Sequence, residues 1–364
     1  MKKQYDVAAY IWPAYQYDKR AEIFWPKGMG EWETVMEQKP KRDGLSFPRK
    51  PLWGYVNEND PYVMEMEINA AADHGVNVFV YDWYWFDRRP FLEGCLNDGF
   101  LKARNNDRMK VFLMWANHNV SVLWDKRLSD GIHTAPNVWE GGVDRYEFEK
   151  ICNRLIEKYF GLPNYYCIDG KPVFMIYHLA NLIEGLGGIA EMKDALQWLR
   201  NRMVECGFPG IHLQCRFELH GARFVLDNVA EIAACFDSLS YYNMGDCVDV
   251  HRDYADAMAD MAQVWETDRE KYGLPTFAQV SLGWDTNPRF NDLWFNVTTN
   301  VTPEAVEEAF RKARNFVDRH PEKAPLITVN SWNEWTETEY LQPDDLNGYA
   351  FLEAVKKVFV DEVE

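Results

Sequence analysis

No stretch of this chain approaches the roughly 18 to 20 consecutive apolar residues that a membrane-spanning helix requires, so no membrane partner is expected. Its seven cysteines are an odd number, scattered without a CxxC pair or other metal-like spacing, and imply neither a disulfide framework nor a thiolate metal site. Cys152, Cys206 and Cys235 stand among apolar residues, where a free thiol packs as a small hydrophobe. No HExxH motif or His/Cys cluster occurs among the eight histidines, which argues against a catalytic metal. A Gly-x-Ser-x-Gly elbow is missing, which argues against serine-based hydrolysis. Neither GxGxxG nor GxxxxGK[ST] follows the first strand-like segment, and no cofactor is expected. The N-terminus, Met1 to Asp6, lacks an apolar signal region, which fits a cytoplasmic setting. Without a secretory context the Asn-x-Ser/Thr matches at Asn119, Asn296 and Asn300 carry little weight.

Positive charge is also short. Lys and Arg total 39 against 57 Asp and Glu, a formal net charge of −18. Phosphate backbones and anionic surfaces would repel such a chain, so nucleic acid is excluded as a partner and a neutral glycan is favoured over a highly anionic one.

Aromatic residues, by contrast, are abundant: 15% of the chain, with 15 Trp and 19 Tyr. Core packing alone seldom needs so many indoles. A sugar-binding cleft does, because the apolar face of a pyranose stacks on a ring while its hydroxyls seek polar groups. A large aromatic core is the alternative, and the positions of the rings decide.

Short apolar segments rich in β-formers recur at Val7–Tyr10, Val78–Tyr81, Val111–Met114, Val173–Tyr177, Ile211–Gln214, Ser238–Tyr241, Phe277–Val280 and Leu326–Val329. Each is nearly continuous in apolar character, as parallel strands covered on both faces should be. Helical periodicity fills the intervals. In 146–160 the apolar positions follow i, i+3, i+4 spacing, and 303–319 carries Thr302 as N-cap and Pro303 at the first turn. A third helix opens at Asp60-Pro61 and stops at His74-Gly75, and Asp169-Gly170 marks a hairpin before the fourth strand.

Alternating β and α elements predict a parallel α/β fold. Connections leading into strands are terse (75–77, 207–210, 273–275), whereas those leaving them are long and aromatic (11–60, 116–144, 242–254, 281–302). That asymmetry points to a single (β/α)₈ TIM barrel over residues 1–364, whose long βα loops form the active face. The sequence shows no linker, second domain or internal repeat.

Polar and aromatic residues interleave just beyond the strands. The exits supply Trp12 and Tyr15, then Asp82 and Tyr84, then Trp115, Asn117 and His118. Further on come Tyr177, Arg216, Tyr241 and Trp284, with Asp285 and Glu218 as weaker acidic candidates and His178 beside His118 as a hydrogen-bonding one. All of these are candidate carbohydrate contacts. The sharpest segment is Trp332-Asn333-Glu334-Trp335-Thr336-Glu337. Glycoside cleavage needs one carboxyl to protonate the departing oxygen and a second to assist the anomeric centre. Two glutamates in different environments on one strand-end loop can divide into acid and base. Trp332, Asn333 and Trp335 flank them, and a freely solvated acidic loop would gain nothing from two indoles.

With these motifs together, the chain resembles the glycoside hydrolase family 99-like group, including WbsX-like proteins linked to polysaccharide biosynthesis. The resemblance rests on Trp25-Pro26-Lys27-Gly28-Met29-Gly30-Glu31-Trp32, Val80 to Phe86, Trp115-Ala116-Asn117, Gly283 to Arg289 and Trp332 to Glu337. It implies a (β/α)₈ barrel and retaining, endo-acting cleavage of α-mannosides without a metal. It also implies that Glu334 deprotonates the sugar's own 2-hydroxyl, which closes onto C1 as a 1,2-anhydro intermediate, while Glu337 serves as acid and then base. The chain departs from the family pattern at Thr338, where a Gly usually follows the second Glu, and at Thr286-Asn287, where the order is swapped. A biosynthetic transferase and a carbohydrate-binding pseudoenzyme are the competing readings.

Overall fold

The computed structural model describes residues 4–41, 49–124, 137–216, 225, 227–291 and 297–363. Eight strands form its centre: Asp6–Ile11, Val78–Phe86, Lys110–Trp115, Lys171–Ile176, His212–Cys215, Ser238–Leu239, Ala278–Ser281 and Leu326–Asn330. They are called the first to the eighth below. All pair in parallel, in the order sixth, fifth, fourth, third, second, first, eighth, seventh. The first strand sets the register on both sides, with Ala8 opposite Val78 on one neighbour and Thr328 on the other. The sixth and seventh strands close the ring through Leu239 and Thr276: Leu239 N donates to Pro275 O at 2.8 Å and Phe277 N to Leu239 O at 2.9 Å. The result is the (β/α)₈ barrel that the alternation predicts.

Helices wrap the sheet where the periodicity places them. Pro303–Arg319 begins with Thr302 accepting from Ala305 N at 3.2 Å and buries Val306, Ala309, Phe310, Ala313, Phe316 and Val317. Pro61–Asp73 is capped by Asp60, which accepts from Tyr62 N at 2.9 Å, and stops at Gly75, whose φ of 90° no helix continues. The segment 146–160 is an α-helix over Arg145–Leu155 that widens into one π-helical turn, Ile156–Phe160. Asp169 and Gly170 both take positive φ and join Cys167–Ile168 to the fourth strand as a hairpin.

Successive side chains of a strand point to opposite faces. Inward positions here are unusually polar. Tyr10 donates to Tyr241 O at 2.9 Å, Ser240 and Thr328 share a hydrogen bond at 3.1 Å, and Gln214 donates to Ser238 at 3.2 Å. Outward positions are apolar and meet the helices. One thiol departs from expectation: Cys206 is exposed because it ends the helix Ile189–Glu205, whereas Cys152 is buried and Cys235 half-buried. Among the described residues no helix is long and apolar enough to cross a membrane.

Candidate active site

A cleft with about 700 Å³ of free space opens at the C-terminal ends of the strands. Asp82, Tyr242, Arg289, Glu334 and Glu337 form its polar side; Trp12, Tyr84, Trp124, His118 and Tyr177 form its aromatic side. Met114, Ala116, Asn119, Val120 and Ser121 complete the lining.

The two glutamates converge on one guanidinium. Arg289 Nη2 lies 2.7 Å from Glu334 Oε1, and Nη1 lies 2.6 Å from Glu337 Oε1. Its Nε and Nη2 also donate to Thr336 Oγ1, at 3.1 and 2.7 Å. A third carboxylate, Glu31, stands 3.7 Å behind Arg289 and accepts from Trp12 Nε1 at 2.5 Å. The turn bearing the glutamates follows from local bonds: Glu334 N donates to Ser331 Oγ at 2.7 Å, and Asp285 N donates to Glu337 O at 2.9 Å, tying the seventh exit to the eighth.

Burial sets the electrostatics. The side chains of Glu334 and Glu337 are 3% and 12% exposed, and desolvation raises both above the ordinary carboxylate range. Their mutual repulsion raises Glu334 further, while Arg289 lowers each. Arg289 is shared by these two carboxyls and Glu31, so Glu334 and Glu337 titrate together and not independently. Asp82 is also held well above its usual range by burial; Tyr242 donates to its Oδ2 at 3.0 Å and lies 3.4 Å from Glu334 Oε2. Asp82 Oδ1 is buried without a hydrogen-bond partner. His118 is lowered to about 4, chiefly by burial, and its Nδ1 faces Asn119 O at 2.8 Å. A neutral ring with Nδ1–H on that carbonyl leaves Nε2 as an acceptor.

Of the candidate contacts read from the sequence, Trp12, Asp82, Tyr84, His118, Tyr177, Glu334 and Glu337 line the cleft. The others stand behind it, and strand parity explains several. Trp115 sits between Met114 and Ala116 and turns outward onto Phe148, with centroids 6.2 Å apart. Tyr241 likewise faces outward and donates to Asp268 at 3.1 Å. Trp332 donates to Glu67 on the helix Pro61–Asp73 at 2.8 Å, and Trp335 stacks on Tyr340 at 3.8 Å, so both indoles are core. Tyr15 packs on Trp32 at 4.0 Å and accepts from Trp335 N. Asn117 clamps the backbone of His178, and His178 caps the helix Leu179–Leu186. Asn333 bonds the backbone of Trp12 at both ends of its amide. Asp285 accepts from Asn287 N and Nδ2, Trp284 is half-buried against the core, and Arg216 lies over the Tyr177 ring at 3.7 Å while pairing with Asp246. Glu218 and Asn296 lie outside the described residues.

Arg289, Tyr242 and Trp124 in the cleft, and Glu31 behind it, are not among the candidates that the sequence motifs single out. Ser238 and Ser240 face inward, so the same parity brings Tyr242 into the cleft and turns Tyr241 out. Arg289 closes the Gly283–Arg289 motif, and its place between the glutamates had no local signal. Among the described residues no three His, Cys, Asp or Glu side chains are grouped to hold a metal ion.

Comparison with known proteins gives a consistent outline. Two curated relatives, both uncharacterized WxcX proteins of Xanthomonas campestris pv. campestris, are 24% identical over 363 residues, 96% of this chain. The chain spans about half, 49%, of the length of those relatives. A solved endo-α-mannosidase of glycoside hydrolase family 99 from Bacteroides thetaiotaomicron superposes with a TM-score of 0.61 over 98% of this chain and 96% of that one, at 13% identity. A solved glycoside hydrolase-like protein gives 0.61 over 98% and 94%, at 12% identity. At such identities the likeness is one of fold. The sequence profile of the WbsX glycosyltransferase family matches residues 7–355, and the chain belongs to that family.

Proposed function

We propose that this protein cleaves or transfers a glycosidic bond in an α-linked, mannose-like glycan, with retention, through Glu334 and Glu337. The observation that carries this reading is the convergence of two buried carboxyls on one guanidinium at the floor of an aromatic cleft. Two carboxyls that burial raises above the ordinary range, and that one cation draws down again, are suited to giving and taking a proton.

The chemistry follows the resemblance. Glu334 takes the proton of the sugar 2-hydroxyl as O2 bonds to C1, and the bond from C1 to the departing oxygen breaks. Glu337 gives that oxygen its proton. In the second step Glu337 takes a proton from an incoming hydroxyl whose oxygen bonds to C1; the C1–O2 bond opens and Glu334 returns the proton to O2. Water as the incoming group gives hydrolysis, and a sugar hydroxyl gives transfer. The family's description as a glycosyltransferase favours transfer as the second reading.

A panel of defined neutral α-linked glycans, assayed with and without an added acceptor sugar, tests both. Replacing either glutamate by Gln should lower kcat by about 10²- to 10⁴-fold. Normal turnover by Glu334→Gln or Glu337→Gln would overturn the assignment, and product analysis separates hydrolysis from transfer.

A further inference from the structure

Behind the glutamate turn lie two more carboxyls that the chemistry above does not use. Glu58, in the long first exit, and Glu67, on the helix Pro61–Asp73, are both fully buried. Among the described residues no Lys, Arg or His pairs with either. Two ionised carboxylates without a counter-cation in such a site would cost far more than a domain can spare, so the pair retains a proton. The titratable groups that touch them, Cys95 at 3.6 Å from Glu58 and Tyr81 at 3.9 Å from Cys95, bring no positive charge.

The donors around them differ. Glu58 accepts from Asn333 Nδ2 at 2.9 and 3.1 Å, from Gln342 Nε2 at 3.3 Å and from Cys95 Sγ. Glu67 accepts from Trp332 Nε1 at 2.8 Å, and its other oxygen has no partner. Burial raises both carboxyls above their ordinary range, and Glu67 raises Glu58 further, so one proton serves the pair.

These bonds reach both flanks of Glu334. Glu67 holds Trp332. Glu58 holds Asn333, whose amide in turn bonds Trp12 N and O at 2.8 and 2.9 Å and so fixes an aromatic wall of the cleft. Through Gln342, which accepts from Trp335 Nε1 at 2.7 Å, Glu58 also steadies the residue after Glu334. We infer that Glu58 and Glu67, sharing one proton, act as positioning residues that suspend the Glu334 turn and set its distance from Trp12. This inference rests on the glycoside-cleaving reading for its kinetic consequence and on burial and geometry for the shared proton.

Two variants and two readouts test it. Glu58→Gln should lower kcat about 10- to 100-fold, the effect of a small misplacement of reacting groups. Its KM should stay within about twofold, because the cleft wall still binds. Glu67→Gln should lose the pair's protonated-carboxyl band from the infrared spectrum of the wild-type protein, because Glu58, with donors from Asn333, Gln342 and Cys95 and no neighbouring acid, then ionises. Wild-type kcat in Glu58→Gln, or an infrared band that survives in Glu67→Gln, would overturn the inference. The infrared readout needs no turnover, so it stands if Glu58→Gln does not fold. It also stands apart from Glu334→Gln and Glu337→Gln, which test the glycoside reading itself.

Discussion

Thr338 sits immediately after Glu337 with φ at 60°, a left-handed conformation that a β-branched residue rarely adopts. Its Oγ1 donates to Asp285 O at 2.9 Å, which offsets part of the strain and ties the seventh exit to the turn. Glycine is the residue that such a φ favours, and the Thr338 hydrogen bond is the local account of how threonine is held there. Thr338→Val keeps the strain and removes the hydrogen bond, and should destabilise the fold by about 1–2 kcal/mol in a denaturant titration. Thr338→Gly should lie close to wild type in the same experiment. Tyr242 offers a second test. Tyr242→Phe deletes the O–H that donates to Asp82 at 3.0 Å, which raises Asp82 further above its usual range. Turnover should fall by about 2- to 10-fold, the worth of one hydrogen bond. At this scale the glutamate pair was legible because acids flanked by indoles are chemically odd. Tyr242 was legible in principle, since parity from Ser238 and Ser240 assigns it inward. Arg289 was not, because its meaning depends on a contact 45 and 48 residues away.

Elements were the most legible level. The eight strands fall on the eight apolar segments, and three helices fall where a cap or a stripe announced them. The exception is the connection between the second and third strands, which uses a π turn at Cys95–Gly99 and short 3₁₀ pieces in place of an α-helix. Glu58, Gln16 and Asn59 crowd Gly94 and Gly99 there, so the path is set by tertiary contact and carries no periodicity. Thr302→Ala should cost about 1 kcal/mol, read as a lower Tm, because Ala305 N loses its acceptor. On the helix Pro61–Asp73, burial pushes Glu67 up to about 7. The folded state therefore binds this proton more tightly than the unfolded chain. Its contribution is fully present below the ordinary Glu range and is lost as pH rises through about 7. That loss is on the order of 3 kcal/mol. Raising the pH from 5 to 8 should lower the wild-type Tm more than that of Glu67→Gln; equal slopes would refute the assignment.

For the whole molecule, the net charge of −18 and the three acids of the cleft act in one direction. Arg289 is engaged by Glu334 and Glu337, which leaves little attraction for an anionic sugar. Neutral glycans should exceed their uronic or sulfated counterparts in kcat/KM by about tenfold or more, and the gap should narrow as salt is added. The aromatic surplus turned out to serve two ends. Trp12 and Trp124 face the cleft, while Trp25, Trp32, Trp115, Trp265, Trp332 and Trp335 are fully buried packing. Composition could not apportion them, because a core indole and a sugar platform look alike until the strand's facing is known.

Among the described residues, two backbone hydrogen bonds, at Leu239 and Phe277, join the sixth and seventh strands and close the ring, beside a sixth strand of two residues. The second and third strands, by contrast, pair over six residues from Val78 to Trp83. Amide hydrogen exchange should therefore be faster at Leu239 and Phe277 than along Val78 to Trp83. The barrel would breathe first along a seam whose two sides carry Tyr242 and Arg289, so a ligand spanning those residues would slow exchange there as it bound.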